Sequence, residues 1–143
     1  MAVLYGSTRG NGEKITASMA ILKGLAEDGG LFVPDSIPAL DVPLKELLGK
    51  SYQEIAYQVM SRLLTDFTEE ELRNCINKAY DSKFDAPEIA PLVKKGNSYY
   101  LELFHGSTIA FKDMALSILP HLLTTSKYLI SNEVDKVQKF RLL

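Results

Sequence analysis

An α/β architecture, mainly helical in its first part and opening into a parallel sheet near its end, is predicted by three features of the sequence. Two stretches, 52–64 and 72–79, carry apolar residues at three- and four-residue spacing, the mark of helices with one buried face. Residues 98–104 are rich in aromatic and branched side chains and read as a strand. That strand runs into a glycine turn and another helical stretch, the order of a βα unit.

Taken in order, residues 3–5 read as a short strand and Gly6 to Gly12 as a loop feeding a helix over 15–24. Asp28-Gly29-Gly30 is a turn, residues 31–33 a second short strand, and the segment with Pro34, Pro38 and Pro43 an extended connector. The next helix presents Tyr52, Ile55, Ala56, Val59, Met60, Leu63 and Leu64 along one stripe, which is expected to be buried. Thr68 opens a further helix. Its hydroxyl and Glu71 form a capping box, and Leu72, Cys75, Ile76 and Ala79 form a stripe that should pack on the previous helix. Cys75 is then a small buried hydrophobe. After the strand at 98–104, a helical stretch over 110–128 contains Pro120 as a kink or break. Residues 140–143 read as the start of another strand, which would complete a parallel βαβ unit. The expected division is a helical subdomain over 1–95 and the start of an α/β domain over 96–143.

With 143 residues, 46% of them hydrophobic, the chain can bury one modest core. Its 16 basic and 18 acidic side chains are dispersed, which argues against nucleic acid or an anionic membrane as the main partner and leaves small molecules. One cysteine excludes an internal disulfide framework, and two distant histidines share no metal-ligand spacing with it. The apolar runs are too short to span a bilayer and the first residues lack the apolar core of a secretion signal, so the cytoplasm is the expected compartment.

The chemistry gathers around Lys112. The sequence Glu-Leu-Phe-His-Gly-Ser-Thr-Ile-Ala-Phe-Lys-Asp (102–113) sets that lysine in the first turn of a helix at the carboxyl end of a strand, where ligands of open α/β sheets collect. Exposed amides at a helix start disfavour an ammonium ion and favour the neutral amine that reacts with an aldehyde. By position alone, a lysine near a helix start is usually just a solvated side chain.

The motif closely resembles the cofactor-lysine motif of threonine synthases, usually Glu-Leu-Phe-His-Gly-Pro-Thr-Leu-Ala-Phe-Lys-Asp. Two more segments support the resemblance: Tyr5-Gly-Ser-Thr-Arg-Gly10 is similar to the family's Ser-Thr-Arg-Gly signature, and residues 24–34 to the segment after its first helix. The resemblance implies the amino-terminal portion of a fold-type II pyridoxal-phosphate enzyme that converts O-phospho-L-homoserine and water into L-threonine and phosphate. Pyridoxal phosphate would be bound covalently to Lys112, whose amine would also shuttle protons at the substrate's α and β carbons. Phe111 and Thr108 would adjoin the cofactor, although Phe111 reads equally as a core aromatic and Thr108 better as the helix N-cap. Asp113 is expected to stabilise the helix start by its charge, and His105 to be a hydrogen-bonded structural group.

Ser107 stands where the family usually has proline, which should loosen the turn. Ser7, Thr8 and Arg9 could contact the substrate's phosphate or simply form a mobile polar loop; Glu13 between Gly12 and Lys14 rules out a P-loop. The last glycine is Gly106, so no loop resembling the family's Ser-Gly-Asp-Thr-Gly phosphate site follows Lys112. The chain alone is therefore expected to be truncated, inactive and a weak binder of the cofactor. Alternatives left open are a threonine synthase-like phospholyase, which only eliminates phosphate, and a non-catalytic helical module.

Overall fold

The computed structural model describes residues 2–10 and 12–140, the last eight of these by their backbone alone. Its first elements are β1 (Tyr5–Ser7), α1 (Ala17–Lys23) and β2 (Phe32–Pro34). A 3-10 turn over Leu44–Leu47 leads to α2 (Tyr52–Leu63) and α3 (Glu69–Ala79). The hairpin of β3 (Leu92–Lys95) and β4 (Ser98–Leu101) follows, and then α4 (Asp113–Leu116) and α5 (Leu119–Phe140).

The helices form where local chemistry starts and stops them. Thr16 caps α1, and Gly24, at φ 73°, ends it in a conformation that a side chain would resist. Thr68 and Glu71 make the expected capping box on α3. Ser51 and Glu54 make a second one on α2. Leu72, Cys75 and Ile76 are each 1% exposed and Ala79 is fully covered, so the α3 stripe is buried as its spacing predicts. Burial of a Leu or Ile side chain on this scale contributes about 1.5–3 kcal/mol each. These residues form one core with Phe67, Tyr80, Phe84, Ile89, Ile118 and Leu122, and α5 closes it by packing on α1 and α3.

The α2 stripe is only half covered. Tyr52, Ala56, Met60 and Leu64 pack against the core, but Val59 is 43% exposed. The expectation of a buried face is corrected there, because α3 and the core shield one side of the stripe and leave its far edge open.

Three further expectations change. The first strand lies over Tyr5–Ser7 because Gly6 and Ser7 pair antiparallel with Val33 and Phe32, a contact between distant segments that a local pattern does not display. Strand β4 pairs antiparallel with β3, so the two sheets of the described residues are both two-stranded and antiparallel, with no parallel pair. The two-residue link Gly96-Asn97, with Gly96 at φ 60°, lets the neighbouring segment fold straight back. Lastly, α5 runs through Phe140, so that residue is helical; 141–143 lie outside the described residues. The break at Pro120 is as predicted: α4 is a single turn, and Pro120 is the second residue of α5, where its missing N–H is not needed. Among the described residues no helix is long and apolar enough to cross a membrane.

Candidate active site at Lys112

The segment 102–112 between β4 and α4 has no repeating hydrogen bonds, so side chains hold its shape. His105 is its first anchor. One ring nitrogen, Nδ1, lies 2.5 Å from Asp85 Oδ1, and Nε2 lies 3.0 Å from Glu102 Oε2. The His105 carbonyl accepts from the Asp85 amide at 3.0 Å. Glu102, and after it Asp85, hold the imidazole above its usual pKa by favouring the imidazolium. With both nitrogens engaged, His105 is the structural group that its place beside a glycine turn suggests.

The turn itself is closed by Asp113. The Ile109 amide donates to the Gly106 carbonyl at 3.0 Å, which puts Ser107 at the second position of a four-residue turn, the place where proline is favoured. Asp113 accepts from the Thr108 amide at 2.7 Å and from the Thr108 hydroxyl at 2.6 Å. Those bonds, the hydroxyl first, hold the buried Asp113 carboxyl below its usual range. Thr108 is therefore not the helix N-cap. Lys112 occupies that position, and its side chain, a donor and not an acceptor, makes no capping bond to the first-turn amides.

Lys112 is exposed, and its carbonyl accepts from Ala115 and Leu116 at 3.1 and 2.9 Å. The helix expected from residue 110 begins only at Asp113 and lasts one turn, so it presents little of the aligned peptide dipole invoked for the lysine. A recess of about 590 Å³ opens beside Lys112, walled by Leu101, Leu103, Phe111 and Met114, with Tyr52 at one side. Phe111 is 74% exposed, which overturns its reading as a core aromatic. The Tyr80 hydroxyl donates to the Met114 carbonyl at 2.7 Å and ties α4 to the core; burial raises that phenol's pKa.

Ser7, Thr8 and Arg9 belong to a different knot. Ser7 Oγ donates to Asp28 Oδ1 at 2.7 Å, Arg9 Nη1 to the Asp28 carbonyl at 3.0 Å, and the Leu31 amide to Thr8 Oγ1 at 3.0 Å. A Cβ at Gly30 would overlap Ser7 Oγ, so only glycine lets the two turns approach so closely. The segment is thus a tied turn and not a loose polar loop. Sequence reasoning missed Tyr52 as a wall of the recess, having read it as helix core, and missed Asp85 and Glu102 as the clamps of His105. The three-residue spacing of Glu102 and His105 was the available signal for the second.

The recess fits the ring and aldehyde of pyridoxal phosphate, with an amine at the rim and an apolar wall. Of its lining side chains only Lys112 and Tyr52 carry N–H or O–H groups, so few donors face a phosphate. Among the described residues no group of three or more His, Cys, Asp and Glu is placed to hold a metal ion.

Comparison with known proteins finds a family model, curated proteins and solved structures that the chain resembles. The family described as "Threonine synthase N terminus" matches residues 4–80. The chain is 44% identical over 124 residues to a threonine synthase of Schizosaccharomyces pombe, covering 84% of this chain and 24% of that protein. It is 40% identical over 118 residues to "Threonine synthase-like 1" of Homo sapiens, covering 77% and 16% respectively. Among solved structures, the PLP-bound threonine synthase from Brucella melitensis is similar at a TM-score of 0.82 and 34% identity, covering 92% of this chain and 28% of that one. The yeast threonine synthase is similar at a TM-score of 0.72 and 36% identity, covering 83% and 25%. The chain spans about a quarter of the length of the curated threonine synthases it matches.

Proposed function

Because the chain belongs to the threonine synthase family, we propose that it supplies the lysine-bearing part of a pyridoxal-phosphate lyase making L-threonine and phosphate from O-phospho-L-homoserine and water. The observation that carries this reading is Lys112 at the rim of an apolar recess, inside the motif 102–113. When bound, the cofactor supplies the electron sink that stabilises negative charge at the substrate's carbons.

The chain's own residues take the remaining work. Lys112 Nζ would hold the cofactor, and its amine would move the proton at the substrate's α carbon. Phe111, Leu101, Leu103 and Met114 keep water from one side of the ring. Thr108, its proton held by Asp113, can still accept from the ring hydroxyl. Ser7, Thr8 and the exposed Arg9 are proposed to meet the substrate's phosphate. Residues 1–95 act as the helical support and 96–143 as the part that carries the lysine, in a cytoplasmic enzyme. With so few donors in the recess, the 143-residue chain by itself is expected to turn over no substrate and to hold the cofactor weakly.

The test is borohydride reduction of the pyridoxal-phosphate-loaded enzyme followed by peptide mass analysis. A pyridoxyl label on Lys112, lost in Lys112→Ala and kept in Lys83→Ala, supports the assignment; a label on another lysine ends it. One second reading is elimination of phosphate alone. Threonine as product excludes it, and 2-oxobutyrate without threonine selects it.

A further inference from the structure

We propose that Asp113 is a positioning residue for Lys112: its carboxylate closes the turn 106–113 and so fixes the direction in which the lysine leaves the backbone. This inference rests on the assignment of Lys112 as the cofactor lysine and adds to it the means by which the lysine is held.

Four observations converge on Asp113. Its two carboxylate oxygens each take one proton from Thr108, from the amide at 2.7 Å and the hydroxyl at 2.6 Å, which draws the start of the turn onto the residue after the lysine. Gly106 is pressed against the same side chain, and a Cβ there would lie 2.5 Å from Asp113 Cβ and 2.7 Å from Oδ2. Ile109, between the two ends, is held at φ 58°, a conformation that a β-branched residue does not keep without an outside constraint. Directly after Asp113, Met114 packs on the core and its carbonyl takes the Tyr80 hydroxyl. The lysine thus sits next to two consecutive anchored residues while its own side chain stays exposed.

The competing roles for Asp113 are weaker. A charge at a helix start stabilises an aligned array of peptides, and α4 has four residues. Proton transfer to the lysine would need a carboxylate facing it, and both oxygens here face Thr108.

The inference predicts that Asp113→Asn, which keeps the shape but sets an N–H₂ group against one of the Thr108 donors, misdirects the lysine without unfolding the protein. In the pyridoxal-phosphate enzyme that carries this chain, borohydride-trapped labelling of Lys112 should slow by about tenfold or more. The thermal midpoint should move little, and kcat should fall further than KM changes. Thr108→Val, which removes one donor and keeps the volume, should slow labelling in the same direction, and Thr108→Ser should restore it. Should Asp113→Asn not fold, the Thr108 pair decides the matter. Native labelling rates in both Asp113→Asn and Thr108→Val, or slowing fully accounted for by the unfolded fraction, overturn the inference. A wild-type label on a lysine other than Lys112 would instead overturn the functional reading beneath it.

Discussion

Among the described residues two isoleucines occupy the left-handed backbone that β-branched residues avoid, Ile89 at φ 63° and Ile109 at φ 58°. The conformation costs each of them about 1–2 kcal/mol. They differ in what offsets it. Ile89 is 2% exposed and belongs to the core, where deleting a side chain of its size costs about 2–5 kcal/mol; Ile109 is 76% exposed and has little burial to lose. Glycine at each position removes the same strain with opposite net effect. Ile89→Gly should destabilise by about 2 kcal/mol or more, and Ile109→Gly should stabilise by up to about 1 kcal/mol. Urea denaturation of the two variants separates them, and a loss of stability in Ile109→Gly matching that of Ile89→Gly would show that Ile109 is held by packing. Neither strained residue could be read from the sequence, since isoleucine locally suggests extended chain. Lys112 could be singled out as a candidate, because the motif around it is long.

At the scale of elements, the helices were readable and the pairing of strands was not. The capping box at Thr68 and the stripe Leu72, Cys75, Ile76 and Ala79 lie within one helix, so α3 is specified by residues a few positions apart. Strand β1 exists only because residues 5–7 meet 32–34. The β3–β4 hairpin did have a local signal, Gly96-Asn97 between two runs of strand-forming residues, which the adjacent prolines and lysines masked. The link between elements that matters most for the site is His105, which fastens the end of β4 to the segment after α3 through Glu102 and Asp85. Its folded pKa lies above the unfolded value of about 6.5, so the stabilisation it gives is complete below that value and fades as pH rises through the folded one. Accordingly, the stability advantage of the wild type over His105→Gln should be greatest between the carboxylate range and about pH 6.5, and should shrink on the alkaline side. Denaturant midpoints measured across that range check it; an advantage independent of pH would mean that the histidine acts by packing alone.

In the whole molecule, the surface that holds the fold together and the recess beside Lys112 are largely different. The core is built from α3, the turns that follow it and the start of α5, whereas the recess at Lys112 is walled by Leu101, Leu103 and Phe111, outside that core. Among the described residues only Tyr52 and Met114 serve both, packing on the core and lining the recess. This separation is why the α/β class and the helical core could be inferred from periodicity while the recess could not: exposed Leu101 and Phe111 break the pattern of a buried strand and helix. It also sets opposite expectations for two truncations. Leu72→Ala, at a position 1% exposed, should cost about 2–5 kcal/mol and lower every activity in proportion to the folded protein lost. Phe111→Ala, at a position 74% exposed, should change the chain's stability by less than about 0.5 kcal/mol, yet weaken pyridoxal-phosphate labelling of Lys112 by removing one wall of the recess. Chemical denaturation and labelling measured on the same samples distinguish the two. If Phe111→Ala lost as much stability as Leu72→Ala, the ring would belong to the core; if it lost neither stability nor labelling, the recess would not be where the cofactor sits.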